Sequence, residues 1–156
     1  MIGESPEFVF CEAVIQRLQS NAALQPLVLA EPYDREDQTQ KLTLADRQYD
    51  GAVAVMPAGL GMDWQGADNA RVRVWSARVA VLVMVTARTE SESGLRRSSA
   101  LLAEVIRTLS GWDPDDELGL FREPWFEGTA DLMAEDVAQL ENIVGRVVFM
   151  SRRMRI

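Results

Sequence analysis

The sequence predicts an α+β fold: a mixed or antiparallel sheet with two main helices packed on one face and a long central strand. Three observations predict it. Two segments, 5–22 and 93–111, carry apolar residues at helical spacing. Between them, residues 71–87 first alternate and then turn apolar on both sides. The order along the chain is helix, several strands, helix, several strands, with no repeat, low-complexity run or linker. The 156 residues suit one domain, spanning 1–156, with a polar insertion at about 31–50.

Each element follows from local chemistry. Ser5 can cap the first helix, Pro6 fits its first turn and Glu7 complements its dipole. Phe8, Cys11, Ile15, Leu18 and Ala22 then form one apolar stripe, which makes Cys11 a small core residue. Asn21–Gln25 reads as a turn, and Leu27–Ala30 as a short strand candidate after Pro26. Glu31–Arg47 reads as a long polar loop with a weak central strand around Leu42 and Leu44. Asp50–Met56 reads as a strand stopped by Pro57, and Pro57–Asn69, with three glycines, as a loop.

Arg71–Ala87 holds the strongest strand signal. Val79, Val81, Val83 and Val85 lie on one face and Ala80, Leu82 and Met84 on the other, so both faces are apolar. Such a strand is central and covered on both sides, the second side by the chain itself or by another subunit. Ser93 can start a second helix with Leu95, Leu102, Val105, Ile106 and Leu109 inward, Gly111 at its C-cap and Pro114 beyond. Asp113–Glu117 is an acidic turn. Leu118–Phe126 contains a strand broken at Pro124, 131–141 is open between helix and strand, and Val144–Ile156 closes the chain as a strand.

Composition narrows the function. The chain lacks histidine, which removes the commonest general base and metal ligand and every Ser-His or Cys-His device. A single cysteine excludes an intrachain disulfide. The net charge of −8 argues against a generic nucleic-acid binder. The longest apolar run, Val79–Val85, falls far short of the roughly 20 residues of a membrane-spanning helix. The opening residues hold no apolar signal core, and Ile2 is no myristoylation site, so a cytoplasmic origin is expected.

The chemical motifs fail on inspection. Gly59-Leu60-Gly61 resembles the start of a dinucleotide loop, but Trp64 stands at the third glycine position. Asp113, Asp115, Asp116 and Glu117 resemble the start of a calcium loop, but Leu118 replaces its turn glycine and Pro124 its bidentate glutamate. No catalytic, cofactor-binding or metal-binding residue is assigned, and the chain is expected not to be an enzyme. The arginines are more informative. Arg71, Arg73 and Arg78 lie along the long strand, and Arg152, Arg153 and Arg155 end the chain. They form solvated faces, or they meet the acids of Glu31–Asp37 or Asp113–Glu117 on a neighbouring copy, a pairing of unlike patches that closes rings.

The element order, the length and the corner Leu109-Ser110-Gly111-Trp112-Asp113-Pro114 resemble the tail terminator proteins of long-tailed bacteriophages, the Mu-like branch and phage-tail-like bacteriocins included. The resemblance spans about residues 5–156 and is sharpest at Gly111, Trp112 and Pro114. It implies a structural virion protein: a homo-hexameric ring on the head-proximal end of the tail tube that stops tube growth and joins the tail to the neck. The implied partners are further copies of itself, the tail tube protein, and neck, connector or sheath proteins. Genome DNA would pass through without specific binding, and no membrane is involved. Such a protein is made in the host bacterial cytoplasm and ends in the virion tail. On this reading Arg71, Arg73, Trp75, Arg78, Leu82 and Met84 are ring-interface candidates. Trp112, Arg152, Arg153 and Arg155 are candidates for tube or neck contact, and Asp113, Asp115, Asp116 and Glu117 for the channel, where acids would repel phosphates. Another neck or head-completion protein, or a small-molecule-binding module, is the alternative.

Overall fold

Ser5 accepts a hydrogen bond from the Glu7 amide at 3.3 Å and so starts α1, Pro6–Gln19. Pro6 needs no donor in the first turn. The computed structural model describes residues 3–34, 36–37, 39–40, 51–65, 72–86, 94–112, 125–131 and 143–154. Its other elements are β1 (Ala52–Gln65), β2 (Val72–Thr86), α2 (Gly94–Leu109), β3 (Trp125–Asp131) and β4 (Ile143–Met154). The strands form one antiparallel sheet in the order β1-β2-β4-β3, so the α+β expectation holds with the antiparallel form of the sheet.

Both helices pack on one face. Phe10, Cys11, Val14, Ile15 and Leu18 of α1 and Leu102, Val105 and Leu109 of α2 meet Val53, Val55, Ala77, Val79, Val81, Val83, Val148 and Met150 of the sheet. The α1 stripe differs from the expected one. Phe8 is 43% exposed and Ala22 is exposed, while Phe10 and Val14 are buried. Two stripes share Cys11, Ile15 and Leu18, and the one with Phe10 and Val14 faces the sheet.

The helices are also tied to each other. Arg17 Nε donates to the Thr108 carbonyl at 3.0 Å, placing a cation at the C-terminal end of α2. Asn21 Nδ2 donates to Glu104 Oε1 and Thr108 Oγ1, both at 2.9 Å. The Asn21 bond, with Arg107 second, holds the Glu104 carboxyl below its ordinary range. Gly111 closes α2 at φ +67, as the C-cap reading expects.

β2 carries the expected two-faced pattern. Its second face, with Ala80, Leu82 and Met84, joins Ala52 and Ala54 of β1, Val147 of β4, and Leu29 and Tyr33. Leu29 belongs to the segment read as a short strand, which forms a single bridge, and Tyr33 to the stretch read as a polar loop, which here covers the sheet. Val28 forms a parallel bridge to Val53, and the amides of Leu29 and Tyr33 donate to the Val53 and Val55 carbonyls at 2.9 and 2.7 Å.

β1 corrects the reading of Pro57 as a stop and of Pro57–Asn69 as a loop: the strand runs through Pro57 to Gln65. Val53 also donates outward, to the Leu27 carbonyl at 2.9 Å, so 53, 55 and 57 point away from β2. The donor that Pro57 lacks therefore lies on the outer edge, where proline is tolerated. Beyond it the register slips by one residue between Pro57 and Leu60, a bulge in which Gly59 has φ +100. The Gly59 amide donates to Glu7 Oε2 at 3.3 Å, tying the bulge to the start of α1. The weak strand around Leu42 and Leu44, the turn at 113–117, the strand portion at 118–124 and all of 132–141 lie outside the described residues.

Gly51 precedes β1 with φ +101, and a Cβ there would stand 3.3 Å from Leu101 Cδ2. Gly59 shares its φ, but a Cβ there would meet nothing within 4 Å. Both positions disfavour a side chain by about 1–3 kcal/mol through the backbone. Gly51→Ala should therefore lower the urea midpoint more than Gly59→Ala, and equal losses would show that the Leu101 contact relaxes freely.

Candidate interface surfaces

The arginine-bearing strand presents its side chains to two different environments. Trp75 is half-buried and packs against the helix-side core. Arg78 is half-buried on the second face, where the register sets it opposite Ser151 of β4. Arg73 lies on β2 opposite Trp64, with its side chain outside the described residues, and Arg71 lies outside them altogether.

Two ring-interface candidates are corrected. Leu82 and Met84 are each 1% exposed, because Leu29, Tyr33 and the strand neighbours close over them. They serve the chain's own second core, and of the two only Leu82 also reaches the cavity on that face. The open part of that face lies further along. A cavity of about 340 Å³ is lined by Met56, Pro57, Ala58, Ala80, Leu82, Val147 and Phe149. Sequence reasoning missed its rim because Ala58 fell in the supposed loop. The apolar alternation continuing past Pro57 was the available signal.

The proposed tube or neck contacts separate in the same way. Arg152 is corrected as an outer contact residue. It is 2% exposed and is partnered within the chain, as a buried guanidinium must be. Trp112 is half-buried and packs against the helix-side core rather than standing free. Arg153 lies on β4 opposite Ser76, with its side chain outside the described residues, and Arg155 lies outside them altogether. Asp113, Asp115, Asp116 and Glu117 also fall outside them.

A second depression, of about 550 Å³, lies between α1 and the 30–40 segment. Phe8, Glu12, Glu31, Asp34, Asp37 and Gln40 line it. Gln40 bridges the segment internally, accepting from the Asp34 amide at 2.6 Å and donating to the Pro32 carbonyl at 2.8 Å. Glu12 has its carboxyl pushed up by burial first, then by the charge of Glu4 and a hydrogen bond with it. Among the described residues no group of three or more His, Cys, Asp or Glu is placed to hold a metal. Among them, too, no helix is long and apolar enough to cross a membrane.

No protein-family model matches the chain, and no curated protein matches it. The surfaces therefore have to be interpreted from their own chemistry.

Cys11 bears on any test that uses thiols. It is fully buried, and burial first, then the charges of Glu7 and Glu12, push its thiol up to about 12. Only thiolate reacts with iodoacetamide. Native protein at pH 8 should resist labelling that urea-unfolded protein accepts readily. The sign for stability follows from the raised value: any contribution from Cys11 is present below the unfolded value near 9 and is lost as pH rises towards 12. Equal labelling of native and unfolded protein at pH 8 would show that α1 opens from the sheet.

Proposed function

We propose that this chain is a structural ring-forming virion protein, a tail terminator that caps the head-proximal end of a phage tail tube and joins it to the neck. The observation that carries the reading is a second sheet face that, among the described residues, stays apolar and only partly covered. A small domain that has buried one face under two helices, and left an apolar hollow on the other, has surface to offer another chain. The acid-lined depression beside α1 is a surface of different character, and unlike surfaces on one chain suit head-to-tail contacts. The helix and strand order, with Gly111 and Trp112 following the end of α2 at Leu109, supports the resemblance noted in the sequence.

The role follows from geometry once a ring forms. A closed ring that matches the last layer of tube subunits on one side and differs on the other ends the polymer, because the next tube subunit finds no matching surface. No catalytic step is required. The chain's partners would be its own copies, the tube and the neck proteins.

Removal of the gene product gives the direct test, read as tail lengths by negative-stain microscopy. Overlong, headless tails of variable length are the expected result. Headless tails of normal length would overturn the terminator role and place the protein on the head side of the joint. At the level of the chain, reversing the charge of Arg71 and Arg73 should weaken ring closure and leave the melting temperature within a few degrees of the parent. An unfolded variant would instead put both residues in the core.

A further inference from the structure

We propose that Phe8 of one copy seats in the apolar cavity on the second sheet face of a neighbouring copy. The proposal rests on the ring reading for the identity of the partner. Phe8 is a large hydrophobic side chain left 43% exposed on α1, a helix that otherwise turns its apolar stripe inward. The cavity, about 340 Å³, is lined by apolar side chains of β1, β2 and β4. Knob and hole cannot meet within one chain, because α1 packs on the opposite side of the sheet. They can meet only between copies, and the contact is head-to-tail, joining unlike patches.

Charge points the same way. Glu4 and Glu12 stand one turn either side of Phe8, and Glu7 precedes it. Among the described residues no ion pair engages these three acids. The carboxyls of Glu4 and Glu12 crowd each other, which an incoming cation would relieve. Arg78, itself engaged within its own chain, adds positive charge on the cavity's face, two residues along β2 from Ala80. The lining argues against a small-molecule occupant: the side chains that line it bring no convergent polar groups to orient a ligand. A phenyl ring needs none.

Disulfide trapping between two single variants tests the contact. Glu12→Cys, one turn from Phe8 on α1, and Ala58→Cys, on the cavity wall, both keep the phenyl ring; the two proteins, otherwise full-length, are mixed under mild oxidation and the heterodimer is followed on non-reducing gels. Glu12→Cys mixed with Arg107→Cys is the control, since the Arg107 side chain is 69% exposed and lies on α2. The buried Cys11 thiol stays silent. The Glu12–Ala58 pair should form heterodimer about tenfold faster than the control, as expected when binding raises the local thiol concentration, and adding Phe8→Ala to Glu12→Cys should remove the excess. Equal rates, or an excess that survives Phe8→Ala, would overturn the contact. Met56→Cys, in the same cavity lining, replaces Ala58→Cys if that variant fails to fold. The double variant Glu12→Cys/Ala58→Cys then separates the two readings. A ladder of cross-linked species ending at a fixed size supports contact and ring together. A ladder without an end keeps the contact and overturns the closed ring.

Discussion

A strand that is apolar on both sides has to be covered twice, and the architecture follows from how β2 meets that demand. Val79, Val81 and Val83 face the helices, and Ala80, Leu82 and Met84 face away. Each fully buried aliphatic side chain is worth roughly 1.5–3 kcal/mol, so leaving either row in water would forfeit a large part of a small domain's net stability. The first cover is the pair α1 and α2, held at a common angle by Arg17 and Asn21 against the end of α2. The second is the segment around Leu29 and Tyr33, secured by backbone hydrogen bonds to β1. Those bonds also occupy the outer edge of β1 at Val53 and Val55, and Pro57 removes the next outward donor. Cover for the face and protection for the edge are therefore one device.

That device explains what the sequence made legible. β2, α2 and β4 were readable because apolar residues run long in the two strands and recur at helical spacing in α2. The N-cap at Ser5 and the C-cap at Gly111 are local chemistry and stand as read. β1 was half lost because Pro57 and the glycines after it read as a stop and a loop, although apolar residues recur at 56, 58, 60, 62 and 64. On α1, the stripes containing Phe8 and Phe10 share most of their members, and local spacing does not choose between them. The choice is made by the sheet. The candidate site suffered from the same long-range effect. Leu82 and Met84 looked available from the pattern of β2 alone, and a segment some fifty residues earlier in the chain closes over them. Arg152 looked like a tail-end contact and is buried by packing that its own neighbours do not announce.

The residues of the second face record how thick its cover is. Beside Leu29 and Tyr33 the sheet offers Ala52 and Ala54, small side chains that let a single extended segment lie close. A helix would not need such a shallow bed, and the opposite face, under α1 and α2, carries mostly valines and Met150. Further along, beyond the reach of that segment, Met56 and Phe149 rise on either side of Ala58 and Ala80. Large residues flanking small ones make a hollow.

A hollow of that kind is not the arrangement that stability alone would favour. Interiors are packed densely, and a void forfeits contacts that a larger side chain at Ala58 or Ala80 would recover. The exposed ring of Phe8 is unfavourable in the same sense, since water gains nothing from it. Each feature alone is a small defect. Both are apolar, and they sit on opposite sides of the sheet, where one folded chain does not unite them. Two defects that cancel only between molecules are what a self-assembling surface requires. On the proposed contact, burial of the ring supplies the attraction between copies. The same covering problem set by β2 thus reaches from the core to the outer surface: one cover makes the domain, and the other leaves the hollow that the proposed contact between copies fills.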